Sequence, residues 1–313
     1  MKRTSAVLVN PGQFEIMEDE IHCPDKGVII RVDTCGLCMS DVPAFQGDDR
    51  TFYPVRPGHQ GSGTVVETGP EVKNLSEGDR VTGIFSEAFS DHASALEKNL
   101  VTVPRGVKLE HALGDMLMSC VSAVRMAAPL PGDTVMVSGC GAMGLTVLSL
   151  LVSPSLTTIA VDRDEFKLDL AKKLSIPHTL PRRDPDLKKK IIELSHGRGV
   201  DACIEVTGES KPFKFDASTL VYGKGKLVVL CIKGTECKYD IGAMINGTIL
   251  YATHPGFFPD QHENLLKAMS LLEKNIFPME DIITHRYKLE DIQTAFEELL
   301  NRPDGYVKGI IKI

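Results

Sequence analysis

The sequence lacks an excess of positive charge: 35 Lys and Arg stand against 42 Asp and Glu in 313 residues, a formal net charge of −7. Binding to a phosphate backbone needs the opposite balance, so nucleic acid and anionic membranes are not expected partners. A long apolar run is also missing. The most apolar stretch, residues 145–152, contains Thr146 and Ser149 and stops at Ser153-Pro154, well short of the ~20 residues of a membrane span. No secretory leader is legible, because Asn10, Pro11 and Gly12 end the apolar run that follows Lys2-Arg3. A soluble, cytoplasmic protein is expected. Internal repeats and low-complexity tracts are absent, and the Lys188-Lys189-Lys190 run reads as a solvated helix face. Eight cysteines without a leader argue against a disulfide framework and for metal binding or burial.

What remains is an ordinary globular composition, 42% hydrophobic and 25% charged, and a length that suggests two domains. Up to about residue 110, short β segments (27–32, 61–67, 79–83) alternate with Gly and Pro, as in a small β-barrel. From Pro131 the pattern changes to apolar strands (134–138, 157–161, 202–206, 226–230) alternating with helices that start near Ala142 and Asp164, which predicts βαβ units and a parallel sheet. A helix over 289–300 and a last strand over 308–313 do not extend that alternation.

The strand Val135-Met136-Val137-Ser138 runs into Gly139-Cys140-Gly141-Ala142-Met143-Gly144, a G-x-G-x-x-G at the start of an apolar helix. In such a turn the first glycine allows a tight bend, the second admits a pyrophosphate to the backbone, and the third lets helix and strand pack closely. The next strand ends at Asp162, 23 residues after Gly139, where a carboxylate accepts hydrogen bonds from the ribose hydroxyls and repels a 2′-phosphate. NAD is therefore favoured over NADP, against the neighbouring charge of Arg163.

A second constellation is Cys35-Gly36-Leu37-Cys38-Met39-Ser40-Asp41, followed by Pro57-Gly58-His59-Gln60-Gly61-Ser62-Gly63. The next cysteine after Cys38 is Cys120, so a closed four-cysteine site is not indicated. One thiolate and one imidazole with a carboxylate from elsewhere would make a three-ligand zinc site with an open fourth position, the catalytic arrangement. Spacing alone equally allows buried thiols and a structural histidine.

These two segments, with Gly78-Asp79-Arg80-Val81, Pro131-Gly132-Asp133-Thr134 and Glu205-Val206-Thr207-Gly208, resemble the zinc-dependent medium-chain dehydrogenase/reductase family of alcohol, sorbitol and threonine dehydrogenases over nearly the whole chain. The resemblance implies a GroES-like β-barrel catalytic domain over 1–120 and 281–313 and a doubly wound Rossmann domain over 121–280. It also implies reversible hydride transfer between NAD(P) and an alcohol or its carbonyl, in a homodimer or homotetramer. Cys38 and His59 match the family's cysteine and histidine ligands, and Cys35 matches none. The third ligand falls about 16 residues before the Pro-Gly at Pro131, at Asp115, with Cys120 as the competing donor. Ser40 would receive the substrate proton, and Asp41 would orient His59 through its second ring nitrogen. Cofactor contacts are implied at Gly139, Gly141, Ala142, Met143, Gly144, Asp162, Arg163, Val206 and Thr207.

The chain departs from the family in three places. Gln60 stands where Glu is usual, and a neutral amide cannot serve as an alternative anionic ligand. The lobe that carries structural zinc is missing between Val81 and Leu100, so one zinc per chain is expected. Val42-Pro43 occupies the place of a proton-relaying histidine. The expected substrate is a small secondary alcohol or polyol, with the loop Thr253-His254-Pro255-Gly256-Phe257-Phe258 contributing to its pocket. Two rival readings are a zinc-independent quinone or enone reductase of the same superfamily and a non-catalytic nicotinamide-binding protein.

Overall fold

The computed structural model describes residues 1–230, 249–252 and 260–313. The chain divides into two compact units, Met1–Met118 with Asp260–Asn275 and Met279–Ile313, and Ser119–Pro259 with Ile276–Pro278.

The first unit opens with a hairpin of β1 (Lys2–Asn10) and β2 (Gln13–Glu20), turned at Pro11-Gly12. The apolar run that might have suggested a leader is thus the inner strand of this hairpin, with Ala6, Val7 and Leu8 buried. There follow β3 (Gly27–Gly36), the short helix α1 (Val42–Gln46), β4 (Gln60–Thr68), β5 (Arg80–Gly83), β6 (His92–Leu96) and β7 (Leu100–Thr102). Helix α2 (Gly114–Ala127) has its first turn in this unit.

The second unit alternates β8 (Thr134–Ser138), α3 (Ala142–Leu150), β9 (Thr157–Asp162), α4 (Glu165–Lys173), β10 (His178–Pro181), α5 (Leu187–Leu194), β11 (Ala202–Glu205), α6 (Ser210–Ala217), β12 (Lys226–Val229) and β13 (Ile249–Ala252). Among the described residues its six strands are parallel in the order β10-β9-β8-β11-β12-β13. Counted from β8 this is 3-2-1-4-5-6, the doubly wound dinucleotide-binding order, whose switch point lies between β8 and β11. β8 is buried along its whole length, as expected of a strand covered on both faces.

The chain then continues through α7 (Gln261–Glu273), α8 (Met279–Ile282), β14 (Ile283–Lys288), α9 (Ile292–Asn301) and β15 (Lys308–Lys312). Residues 260–275 group with the first unit, whereas the resemblance implied a Rossmann domain running over 121–280. β15 inserts between β14 and β3, giving a seven-stranded sheet ordered β14-β15-β3-β4-β5-β7 with β6 also on β3. Helix α9 is fixed by Phe296, whose ring centroid lies 4.9, 5.2 and 5.8 Å from those of Phe14, Phe45 and Phe89. Such pairs add ~0.5–1.5 kcal/mol each to the burial of their area.

Candidate active site

Three elements of the first unit converge on one end of its sheet. Gly36, the last residue of β3, pairs with Gln60, the first of β4. This register places the loop carrying Cys38, Ser40 and Asp41 beside His59. On the other side of β3, Leu37 donates its N–H to the Gly309 carbonyl at 3.0 Å, which brings in the start of β15 and Lys308. Asp115, in the first turn of α2, is buried and completes the group.

The side chains interlock. Ser40 Oγ donates to Cys38 Sγ at 3.1 Å and lies 3.3 Å from His59 Nε2. His59 Nε2 is also 3.7 Å from Asp115 Oδ2, while Nδ1 is 3.4 Å from Asp41 Oδ1. Gln60 Nε2 donates to Asp115 Oδ2 at 3.2 Å, and its Oε1 accepts from Lys308 Nζ at 2.6 Å. Burial opposes charge on Cys38, but the adjacent His59 outweighs it and holds the thiol below its usual range. Burial likewise works against a charged His59, yet Asp41 and Cys38 raise its pKa to about 11. Burial pushes the Asp115 carboxyl up, in part offset by His59, Gln60 and Lys308. Burial also depresses the Lys308 ammonium. Cys35 points elsewhere: it is fully buried, with Sγ 3.8 Å from the Gly36 carbonyl, and burial drives its thiol well up.

In the second unit the glycine turn has the three expected properties. Gly139 adopts φ +102°, a left-handed conformation that favours glycine. A Cβ on Gly144 would collide with the Gly139 carbonyl oxygen, whereas a Cβ on Gly141 would meet nothing within 4 Å. That side of the turn is open. Gly141→Val should therefore leave the melting temperature near that of the parent while weakening NADH binding at least tenfold, measured by quenching of cofactor fluorescence. A variant that binds NADH normally would place the cofactor elsewhere. Asp162 closes β9, and its oxygens accept from Cys140 N at 2.5 Å and Asp164 N at 2.9 Å. Arg163 is exposed and paired with Glu209, Nη1 to Oε1 at 3.2 Å. Ala142 and Met143 open α3, and Thr207 follows β11, its methyl 3.2 Å from where a Gly139 Cβ would stand. Val206 donates its N–H to the Ser138 carbonyl at 2.8 Å, tying the β11 exit to the glycine turn. His254 and its loop lie outside the described residues.

Residues 24–131 match the alcohol dehydrogenase GroES-like domain and residues 142–269 the zinc-binding dehydrogenase domain. The chain belongs to the zinc-type medium-chain dehydrogenase/reductase family. It is 24% identical to an alcohol dehydrogenase of Cupriavidus necator over 98% of each chain, and 24% identical to an L-threonine 3-dehydrogenase of Marinomonas over 93% of this chain and 94% of the relative. A short chain alcohol dehydrogenase of Escherichia coli CFT073 complexed with NADH superposes with a TM-score of 0.87 at 19% identity, over 100% and 99% of the two chains. The protein is accordingly an oxidoreductase with GroES-like and Rossmann domains.

The second matched family is described as zinc-binding. Among the described residues, no three His, Cys, Asp or Glu side chains stand close enough to enclose an ion as they are; Ser40 Oγ lies 3.1 Å from Cys38 Sγ and 3.3 Å from His59 Nε2. The donor chemistry nevertheless fits zinc. A thiol held low, an imidazole with Nδ1 facing a carboxylate and Nε2 turned toward Asp115, and a buried carboxylate are the donors of an open catalytic site. The rival donor Cys120 is engaged elsewhere, its thiol 3.6 Å from the Met143 carbonyl. No helix among the described residues is long and apolar enough to cross a membrane.

Two groups next to these sites were missed in the sequence. Lys308 is buried against Gln60, 248 residues away in the chain; a lone lysine opening the apolar strand Lys308-Gly309-Ile310-Ile311 was the available signal. In the second unit, Arg182 donates from Nη1 to Asp216 Oδ1 at 2.9 Å and from Nη2 to Ser138 Oγ, directly below the glycine turn.

Proposed function

We propose that the chain is a zinc-dependent oxidoreductase that transfers a hydride between NAD(H) and a small secondary alcohol or polyol and its ketone, with one zinc per chain held by Cys38, His59 and Asp115. The observation that carries this reading is that His59 Nε2 lies 3.7 Å from the buried Asp115 carboxylate and 3.3 Å from the exposed Ser40 hydroxyl, which donates to the Cys38 thiol at 3.1 Å. Zinc, when bound, supplies Lewis-acid stabilisation of a substrate oxygen. Asp41 holds His59 Nδ1 and so keeps Nε2 turned inward. Ser40 accepts the substrate hydroxyl proton and, being exposed, hands it to water; neither Val42 nor Pro43 can titrate. The neutral amide of Gln60 hydrogen-bonds Asp115 without competing as an anionic ligand.

The glycine turn and the start of α3 take the pyrophosphate, and Asp162, oriented by two backbone N–H groups, meets the ribose hydroxyls. The pairing of Arg163 with Glu209 offsets its charge and supports a preference for NAD. The names of the alcohol and L-threonine dehydrogenase relatives support a hydroxyl-bearing substrate.

Elemental analysis together with steady-state reduction of NAD and NADP by a panel of secondary alcohols and polyols tests this function. One zinc equivalent is expected, with kcat/KM for NAD above that for NADP by roughly tenfold or more, about 1.4 kcal/mol in transition-state binding. Two equivalents of zinc would contradict the single-site reading. Chelator-insensitive reduction of quinones or enones by zinc-free protein would establish the metal-free alternative. An NADP preference would put Arg163 in control of the ribose end.

A further inference from the structure

The Lys308 side chain is only 7% exposed and lies at the start of β15. Burying an ammonium is costly unless its donors are used, and here they are: Nζ donates to the Leu37 carbonyl at 2.6 Å and to Gln60 Oε1 at 2.6 Å. The second bond fixes the Gln60 amide. An ammonium can only donate, so the amide oxygen must face Lys308 and the NH2 must face the other way. That NH2 donates to Asp115 Oδ2, the oxygen 3.7 Å from His59 Nε2. Gly36 leaves the room for this chain of contacts, since a Cβ there would stand 2.8 Å from Gln60 Oε1 and 3.2 Å from Lys308 Cε.

We propose that Lys308 is a positioning residue: acting through Gln60, it fixes the orientation of the Asp115 carboxylate and so sets the metal affinity of the site. Rotating the Gln60 amide by 180° would set two donors against each other at Lys308 and two acceptors against each other at Asp115. The ammonium removes that alternative. It also places a positive charge in a site where a neutral amide supplies no charge of its own. A lysine that served only to pin β15 to the Leu37 carbonyl would place no constraint on the Gln60 amide.

The inference rests on the zinc reading above, and the experiment separates the two. Apo protein of the parent, Lys308→Met, Gln60→Leu and the double variant is titrated with zinc against a competing chelator. The same proteins are loaded with Co(II) and their visible spectra recorded. If the parent takes up no zinc, the zinc reading fails and this inference with it. If it does, Lys308→Met should bind zinc 10- to 100-fold more weakly, the range found when a hydrogen-bonding partner of a metal ligand is lost, and shift the Co(II) bands. Gln60→Leu should match it, and the double variant should be no weaker than Gln60→Leu alone, because the lysine acts through the amide. Parent-like affinity and spectra in Lys308→Met, or losses that add in the double variant, would overturn the proposal while leaving the zinc reading standing. Should Lys308→Met fail to fold, Gln60→Leu decides on its own, since it keeps the Lys308–Leu37 bond: parent-like affinity there refutes the inference and a 10- to 100-fold loss supports it.

Discussion

Cys38→Ala is expected to purify as a folded protein that retains less than a tenth of an equivalent of zinc and turns over alcohol at least ~10³-fold more slowly. Lewis-acid stabilisation is worth several kcal/mol, and each 1.36 kcal/mol is a factor of ten in rate. The fold should survive, because Cys38 lies in the loop after β3 and is not part of the hydrophobic core. Cys35→Ala is the internal control. Cys35 is fully buried in the hydrophobic core at the end of β3, and its thiol hydrogen-bonds only to backbone, so its loss should cost about 1 kcal/mol in a small cavity and leave zinc content and turnover intact. Thermal melts, metal analysis and kcat/KM on the two variants make the comparison. If zinc were lost from the Cys35 variant and kept by the Cys38 variant, the ligand assignment would be reversed.

Arg182→Met should produce the largest change in stability. Asp216 is fully buried, and Arg182, which also lies over the Phe215 ring at 5.2 Å, is its ion-pair partner. Removing one member of a buried pair leaves the other uncompensated, at about 3–5 kcal/mol. The loss should depend on pH with a definite sign. Burial, opposed by Arg182, already raises the Asp216 carboxyl to about 6. Between the unfolded value near 3.8 and about 6 the folded parent binds more protons than the unfolded chain, so its stability falls as pH rises through that window. Without Arg182 the carboxyl rises further and is neutralised more readily. The deficit of Arg182→Met relative to the parent should therefore be large at pH 8 and shrink toward pH 5. Melting temperatures of both proteins at pH 5, 6 and 8 would show this; a gap constant across the range would mean that Arg182 contributes packing and not charge.

The parts that were legible in the sequence are those whose chemistry is local. The turn from Gly139 to Gly144 needs three glycines for three separate reasons, all within six residues of one strand-to-helix junction, so the motif and its geometry agree residue by residue. The two cysteines of Cys35-x-x-Cys38 could not be told apart by spacing. What separates them is the end of β3 at Gly36: one cysteine sits inside the strand and faces the core, the other lies beyond it in the loop beside His59. The hairpin of β1 and β2 was obscured because β2 has few buried positions and so little alternation to read. Lys308 and Arg182 were illegible for a different reason. Their partners, Gln60 and Asp216, are 248 and 34 residues away in the chain, and only strand order, with β15 beside β3, reveals the first pairing.

That strand order also bears on how the protein comes to be folded during synthesis. β3 leaves the ribosome early, but its neighbour β15 follows only after the entire second unit has been translated. The amino-terminal sheet must therefore wait with the Thr34–Gly36 end of β3 unpaired on one side while the parallel domain condenses ahead of it, a reversal of the usual amino-to-carboxyl sequence of domain folding. The closing contact spans nearly the whole chain, the kind of pairing whose loop-closure entropy makes folding slow. A nascent chain arrested before residue 308 would hold the dinucleotide fold and leave that edge of β3 open for a chaperone to cover.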